Sequence, residues 1–288
     1  MYPTVDTRFP SDVEVEVQSH YLALFPNGNK AFVPTAFGWA IECFTGKYKD
    51  YQPIDALYHD FEHTLQGTLC LMRLLRGRER QAAEPRITQR LFELALVAIL
   101  LHDTGYLKTS DDREGTGAKY TLTHVNRSCD FAVRLLREKG FQESEIASIQ
   151  NMIRCTGVNA DLKTIPFQSD LERIIGFALS TADLLGQMAA EDYVEKLPIL
   201  FLEFAEAGTY TGKTGASGGF LNSDDLMRKT PGFWTFYVLP KIEKDFQGIY
   251  KYLGSPQPGT GNYYIDRIEQ NLERIRKQVA ALESVAAA

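Results

Sequence analysis

Five histidines occur in the chain, and four of them, His59, His63, His102 and His124, fall between positions 59 and 124. Two of these stand beside aspartates, as His59-Asp60 and His102-Asp103. His59 and His63 are four apart in Tyr58-His-Asp-Phe-Glu-His63. In a helix that spacing puts both imidazoles on one face, close enough to share a site. His102-Asp103 closes an apolar run, in Leu100-Leu-His-Asp-Thr-Gly-Tyr106. Burying two such groups is costly unless they are paired or bound to a metal. Asp183 is a further carboxylate in apolar surroundings, Ser180-Thr-Ala-Asp-Leu-Leu185. Imidazole and carboxylate oxygen together suit divalent Zn, Mn, Fe or Ni, with Mg where oxygen ligands dominate. A single buried histidine is ordinarily a hydrogen-bonded core residue. The joint pattern on successive helices is what points to a metal. His20 carries no motif.

The elements that must position these groups read as helices. Asp55 to Leu75 has apolar or small residues at helical spacing, with Gly77 placed to end it. Thr88 to Leu101 is a second helix, with Thr88 as N-cap. Its nearly all-round apolar surface assigns it to the middle of the core. Asp103 to Lys119 is a polar loop. Thr121 to Gly140 is a third helix, with Gly140 at its C-cap, and Ser144 to Cys155 a fourth, opened by a capping-box-like Ser144 that lacks the glutamate. Asp170 to Met188 is a fifth, and Pro198 to Ala207 continues in helix. Phe233 to Tyr252 and Tyr264 to Ser284 close the chain, the last with i, i+4 pairing of Glu273 and Lys277. Few segments resemble strands, so the fold class is all-α. Residues 1–53 form an irregular extension with one or two short helices, such as Thr35 to Phe44. Residues 54–200 form a metal-binding helical core, and residues 201–288 complete a single domain.

Composition narrows the function classes. The 288 residues are 44% hydrophobic and 24% charged, enough apolar surface to form a core without disulfides or metal. The net charge of −6 argues against coating a nucleic-acid polymer. A small anionic substrate would need a metal or clustered cations. Cys43, Cys70, Cys129 and Cys155 form no C-x-x-C pair and read as reduced core thiols. There is no basic-then-apolar secretory leader, and the longest apolar run, Leu94 to Leu101, is too short to span a bilayer. The expectation is a cytoplasmic protein with no membrane partner, and apolar faces on the terminal helices are compatible with a homodimer.

The pattern H…HD…H…D resembles the HD-domain superfamily of metal-dependent phosphohydrolases, over roughly Tyr58 to Gly186. The apolar run into Leu101-His-Asp-Thr-Gly has the form of that superfamily's signature. The resemblance implies a helical core around a divalent metal ion held by His63, His102, Asp103 and Asp183. Tyr58-His59 is similar to the Tyr-His-Asn motif of cyclic-nucleotide phosphodiesterases, with Asp60 in place of the asparagine. That match implies that His59 is the general acid for the leaving oxygen. The later His-Asp-x-x-His-Pro motif is absent, since Thr-Gly-Tyr-Leu-Lys follows Asp103. His124 lies where many such proteins place a histidine for a second metal, but Asn151 to Thr156 lacks the further histidine of a six-ligand dinuclear site.

The resulting expectation is metal-dependent hydrolysis of a phosphomonoester or phosphodiester, of a nucleotide or other small phosphorylated metabolite. The metal acidifies a water and polarises the phosphoryl group. Asp103 or Asp183 handles the water, and His59 protonates the leaving group. His124 supports phosphate or a second metal. Lys108, Lys119, Arg127 and Arg154 are candidate phosphate clamps. Two rival readings share the fold: a di-iron oxygenase, and a catalytically silent ligand-binding protein. Ala207-Gly-Thr-Tyr-Thr-Gly-Lys213-Thr214 loosely matches a P-loop, but a helix-like segment precedes it, so Gly208 to Gly219 reads as a flexible loop. The aromatic stretch Phe233 to Tyr237 reads as helix core.

Overall fold

The structure, a computed structural model, describes residues 2, 4–212, 219–254 and 261–286. Among the described residues ten α-helices run as α1 (Pro10–Leu24), α2 (Phe32–Phe44), α3 (Phe61–Arg80), α4 (Gln89–Leu101), α5 (His124–Glu138), α6 (Glu143–Arg154), α7 (Asp170–Met188), α8 (Tyr193–Tyr210), α9 (Ser223–Phe233) and α10 (Tyr263–Ala286). Among the described residues there is no strand, only an isolated antiparallel bridge between Tyr51 and Thr109. The fold is all-α. No described helix is long and apolar enough to cross a membrane.

The centre of the core is α4. Every residue from Phe92 to Leu101 is buried, and the helix packs on α2, α3, α6 and α7. Thr88 caps it, its hydroxyl accepting the Leu91 N–H at 3.2 Å. The buried Glu93 is satisfied by Tyr21 and Gln89. Around this axis α3 and α7 form the most extensive helix pair. Their approach is close because of glycine: a Cβ on Gly186 would sit 2.8 Å from the Gln66 carbonyl oxygen. His63 lies one turn before Gly67 on α3, and Asp183 one turn before Gly186 on α7, so this crossing sets the spacing of two site residues.

The segment before Pro53 is more regular than its punctuation suggests. Val13 and Val17 bound an alternating Val-Glu-Val-Glu-Val stretch that taken alone also suits an extended run. They lie four apart on α1, with Tyr21 four further on, as a buried stripe, while Val15 is exposed. Alternation over five residues satisfies either period, and packing of α1 on α3 selects the helix.

Several boundaries differ from expectation. The helix expected from Asp55 begins only at Phe61, because the Asp60 side chain accepts the His63 N–H at 2.8 Å and caps it. It runs past Gly77 to Arg80. Gly77 serves packing instead, since a Cβ there would lie 1.9 Å from the Tyr252 carbonyl oxygen. The third helix starts at His124 rather than Thr121, and Gly140 stands just beyond it at φ 80°. The cap of α6 is Gln142, not Ser144, and its glutamate is present: Glu145 accepts the Gln142 N–H at 3.0 Å. The aromatic stretch is a π turn, Trp234–Val238, continuing α9, with Trp234 buried and Phe236 fully outward. All four cysteines are free and buried.

Candidate metal centre

Four side chains from two helices, α3 and α7, and one turn converge at the end of α4. His63 Nε2 lies 3.3 Å from Asp103 Oδ2 and 3.2 Å from Asp183 Oδ1. His102 Nε2 lies 3.3 Å and 3.4 Å from the same two oxygens. Donors bonded to one ion at about 2.1 Å sit about 3.0 to 3.4 Å apart, from octahedral to tetrahedral arrangement. The observed spacings fall in that interval and exceed those of charge-assisted hydrogen bonds. His102 Nε2 and Asp103 Oδ2 are buried without a hydrogen-bond partner, a costly state that a bound cation would relieve. His63, His102 and Asp103 are grouped tightly enough to hold an ion, with their ligand atoms within 4.8 Å of one another.

The imidazoles are oriented by their other nitrogens. His102 Nδ1 donates to the Ile99 carbonyl at 2.7 Å, and His124 Nδ1 donates to the Thr121 carbonyl at 2.6 Å. Each therefore directs Nε2 at the centre, where its lone pair would be the one to bind a metal ion. His124, the first residue of α5, places Nε2 3.8 Å from Asp103 Oδ1, the oxygen on the outer side of the cluster.

The turn that carries His102 and Asp103 is held by α5. Ser128 Oγ accepts the Gly105 N–H at 2.8 Å and donates to the His102 carbonyl at 2.5 Å. Arg127 donates to the Gly105 and Leu107 carbonyls, each at 2.7 Å. Gly105 is required by contact, since a Cβ there would lie 2.0 Å from the His124 carbonyl oxygen. Small size at this position lets α5 bring His124 against the cluster.

The charges are strongly coupled. Burial disfavours a charged His63, but Asp103 and Asp183 outweigh it and lift its pKa to about 10. Burial also opposes ionisation of Asp103 and Asp183, yet His102 and His63 hold both well below the usual carboxylate range. Without metal, protons on imidazole supply the positive charge that the carboxylates require. Burial pushes His124 the other way, below the ordinary histidine value.

His59 does not share a helical face with His63. It sits in the turn before α3, its ring 4.7 Å from that of Tyr106 and 6.0 Å from that of His124, and Tyr106 in turn lies 4.9 Å from His124, so the three rings form a triangle. It remains close to the cluster, 5.3 Å between ring centres from His63. What holds it there is Glu203 of α8, which sequence reasoning missed. One Glu203 oxygen accepts the Tyr58 N–H at 2.7 Å, and the other lies 2.5 Å from His59 Nδ1. The sequence signal was a lone carboxylate in Pro198-Ile-Leu-Phe-Leu-Glu-Phe, the same kind of anomaly that singled out Asp183. Burial opposes ionisation of Glu203, but His59 and the two backbone N–H groups hold its pKa down. Tyr58 continues the support, donating to Gln187, which donates to the Asp183 carbonyl.

Three of the four candidate clamps are engaged elsewhere. Lys108 binds Asp55 and the Gly115 carbonyl, Lys119 binds Asp112, and Arg127 holds the Gly105 turn with its guanidinium over Tyr120. These cations fold the loop between α4 and α5. Arg154 alone of the four lines the cavity of about 980 Å³ that opens onto His59, His63, Asp103, His124 and Asp183. Of the loose P-loop match, Ala207 to Tyr210 is the end of α8, while Lys213 and Thr214 lie outside the described residues.

Fold and site together define an all-α protein whose buried His63-His102-Asp103 group could hold a metal ion. A family model described as Npun_R2479-like matches residues 36–278, a span that contains the whole cluster, and the chain belongs to that family. No curated protein matches it.

Proposed function

We propose that this protein is a metal-dependent hydrolase of a small phosphate ester, of the HD type. The observation that carries the reading is the convergence of His63, His102, Asp103 and Asp183 at ion-like spacing, with two buried donor atoms unpartnered, on the floor of a ligand-sized cavity. His63, His102, Asp103 and Asp183 would hold the ion, which when bound supplies Lewis acidity toward a phosphoryl oxygen and an acidified water.

The remaining steps belong to the protein's own groups. Asp183 is the more exposed of the two carboxylates and is placed to orient the attacking water and accept its proton. His59 has Nδ1 fixed by Glu203, so Nε2 carries the proton given to the leaving oxygen, and Glu203 stabilises the charged ring beforehand. The Tyr106 ring contacts both His59 and His124 and helps to fix their relative position. Arg154 faces the cavity and would neutralise phosphate oxygens, while His124, held toward its neutral form, would offer its Nε2 to a second metal ion.

The test is elemental analysis of protein purified without chelator or His tag, followed by a phosphate-release screen with the metal found. One or two equivalents of Mn, Zn, Ni, Mg or Fe with turnover supports the reading. Asp103→Ala is expected to lose both metal and turnover in a folded protein. Retention of both in that variant would sink it.

A further inference from the structure

Apart from a polar side formed by Thr156, Asn159, Asp161 and Thr164, the cavity has two unlike ends. One is the His–Asp floor with Arg154 beside it. The other is a wall built by α7, α8 and α9. On α8 the lining residues Leu197, Leu200, Phe204 and Ala207 recur at i, i+3, i+7 and i+10, one continuous stripe. Ten residues of helical rise make that stripe about 15 Å long. Leu184 and Met188 extend it toward Asp183 on α7, and Leu226 and Phe233 face it from α9.

The polar side chains of α9 that line this end are already engaged. Thr230 Oγ donates to the Leu226 carbonyl at 2.9 Å, and Lys229 pairs with Asp225 at 2.9 Å. A base or sugar lying there would lose its water hydrogen bonds against the aliphatic stripe, whereas an apolar body would bury surface at no such cost. Phosphate chemistry needs only the floor, so most of the roughly 980 Å³ serves the rest of the substrate.

Building on the phosphohydrolase reading, we infer that the substrate is an amphiphile: a phosphate or phosphodiester head at the His–Asp floor and an apolar, chain-like body along α8 and α9. Specificity then comes from Leu200 and Phe204, half-buried side chains of the α8 stripe that touch the body and not the reacting atoms.

The experiment is calorimetric titration of the metal-loaded protein with methyl, butyl and octyl phosphonate, which cannot be hydrolysed. Affinity is expected to rise with chain length, approaching fourfold per methylene where burial is complete. Leu200→Asn and Phe204→Asn should flatten that dependence while circular dichroism stays helical. Leu202→Asn is on the same helix but outward, 63% exposed, and should keep it. Equal affinity for all three phosphonates, no binding of any, or tighter binding of a nucleoside phosphonate than of octyl phosphonate would overturn the inference. Chain-length-dependent binding without phosphate release from any ester would sink the hydrolase reading and leave the apolar pocket standing.

Discussion

The two ends of the cavity are built on opposite principles. At the His–Asp end His59, His102 and His124 are each fixed twice, once by their own element and again by a partner. Ile99 orients His102, Thr121 orients His124, Glu203 orients His59, and Ser128 with Arg127 clamps the turn. At the α8–α9 end the wall is mostly apolar side chain, and its polar members Lys229 and Thr230 are engaged within α9 itself. Ion binding and proton transfer depend on position within fractions of an ångström, whereas burying an apolar body depends chiefly on area. The difference teaches where substitutions should be severe and where graded.

The largest effect is expected from disturbing the seam between α5 and the turn. Gly105→Ala forces a Cβ into the His124 carbonyl and should cost about 3 kcal/mol, at the upper end of overpacking, lowering the thermal midpoint and releasing metal. A tolerated Gly105→Ala with full metal content would break the claim that this end is fixed by contact. Next comes the proton donor. His59→Gln should keep the metal, since His59 is outside the four-donor set, and lose about 10²- to 10⁴-fold in turnover. Elemental analysis beside steady-state rates separates the two. Ser128→Ala removes the bridge between Gly105 and His102 and is expected to weaken metal binding by about 10- to 100-fold, as loss of orienting partners does. Competition with a chelator measures it.

A further expectation is a pH dependence of the metal-free protein. His63 has its pKa raised from 6.5 to about 10 in the metal-free fold. Its stabilising contribution is fully present below pH 6.5 and lost as the pH rises through about 10. Asp103 and Asp183, held down, contribute above the ordinary carboxylate pKa and lose that contribution as pH falls. The chelated protein should therefore melt progressively lower from pH 6.5 toward 10. Metal-loaded protein should resist that decline, because deprotonation of His63 frees a ligand. Identical melting profiles with and without chelator would mean that the cluster takes no metal.

Much of this molecule was legible from residue spacing. The all-α class, the buried axis α4 with its Thr88 cap and the span of α7 follow from period and capping, which are local properties. In the set singled out for a metal, the fold brings the Nε2 atoms of His63 and His102 within 3.2 to 3.4 Å of carboxylate oxygens of Asp103 and Asp183. They stood out because charge inside apolar helices is costly without a purpose. What spacing could not decide was everything set across long separations. His59 leaves the helix because Asp60 caps it and because Glu203, 145 positions from Tyr58, accepts the backbone N–H groups of that turn. Lys108, Lys119 and Arg127 look identical in sequence to free cations, and only the folded loop shows which carboxylates and carbonyls occupy them. The cavity and its apolar wall likewise exist only once α7, α8 and α9 meet. Periodicity reports which face of a helix is apolar, while the tertiary structure decides whether that face is filled by another helix or left open to a ligand.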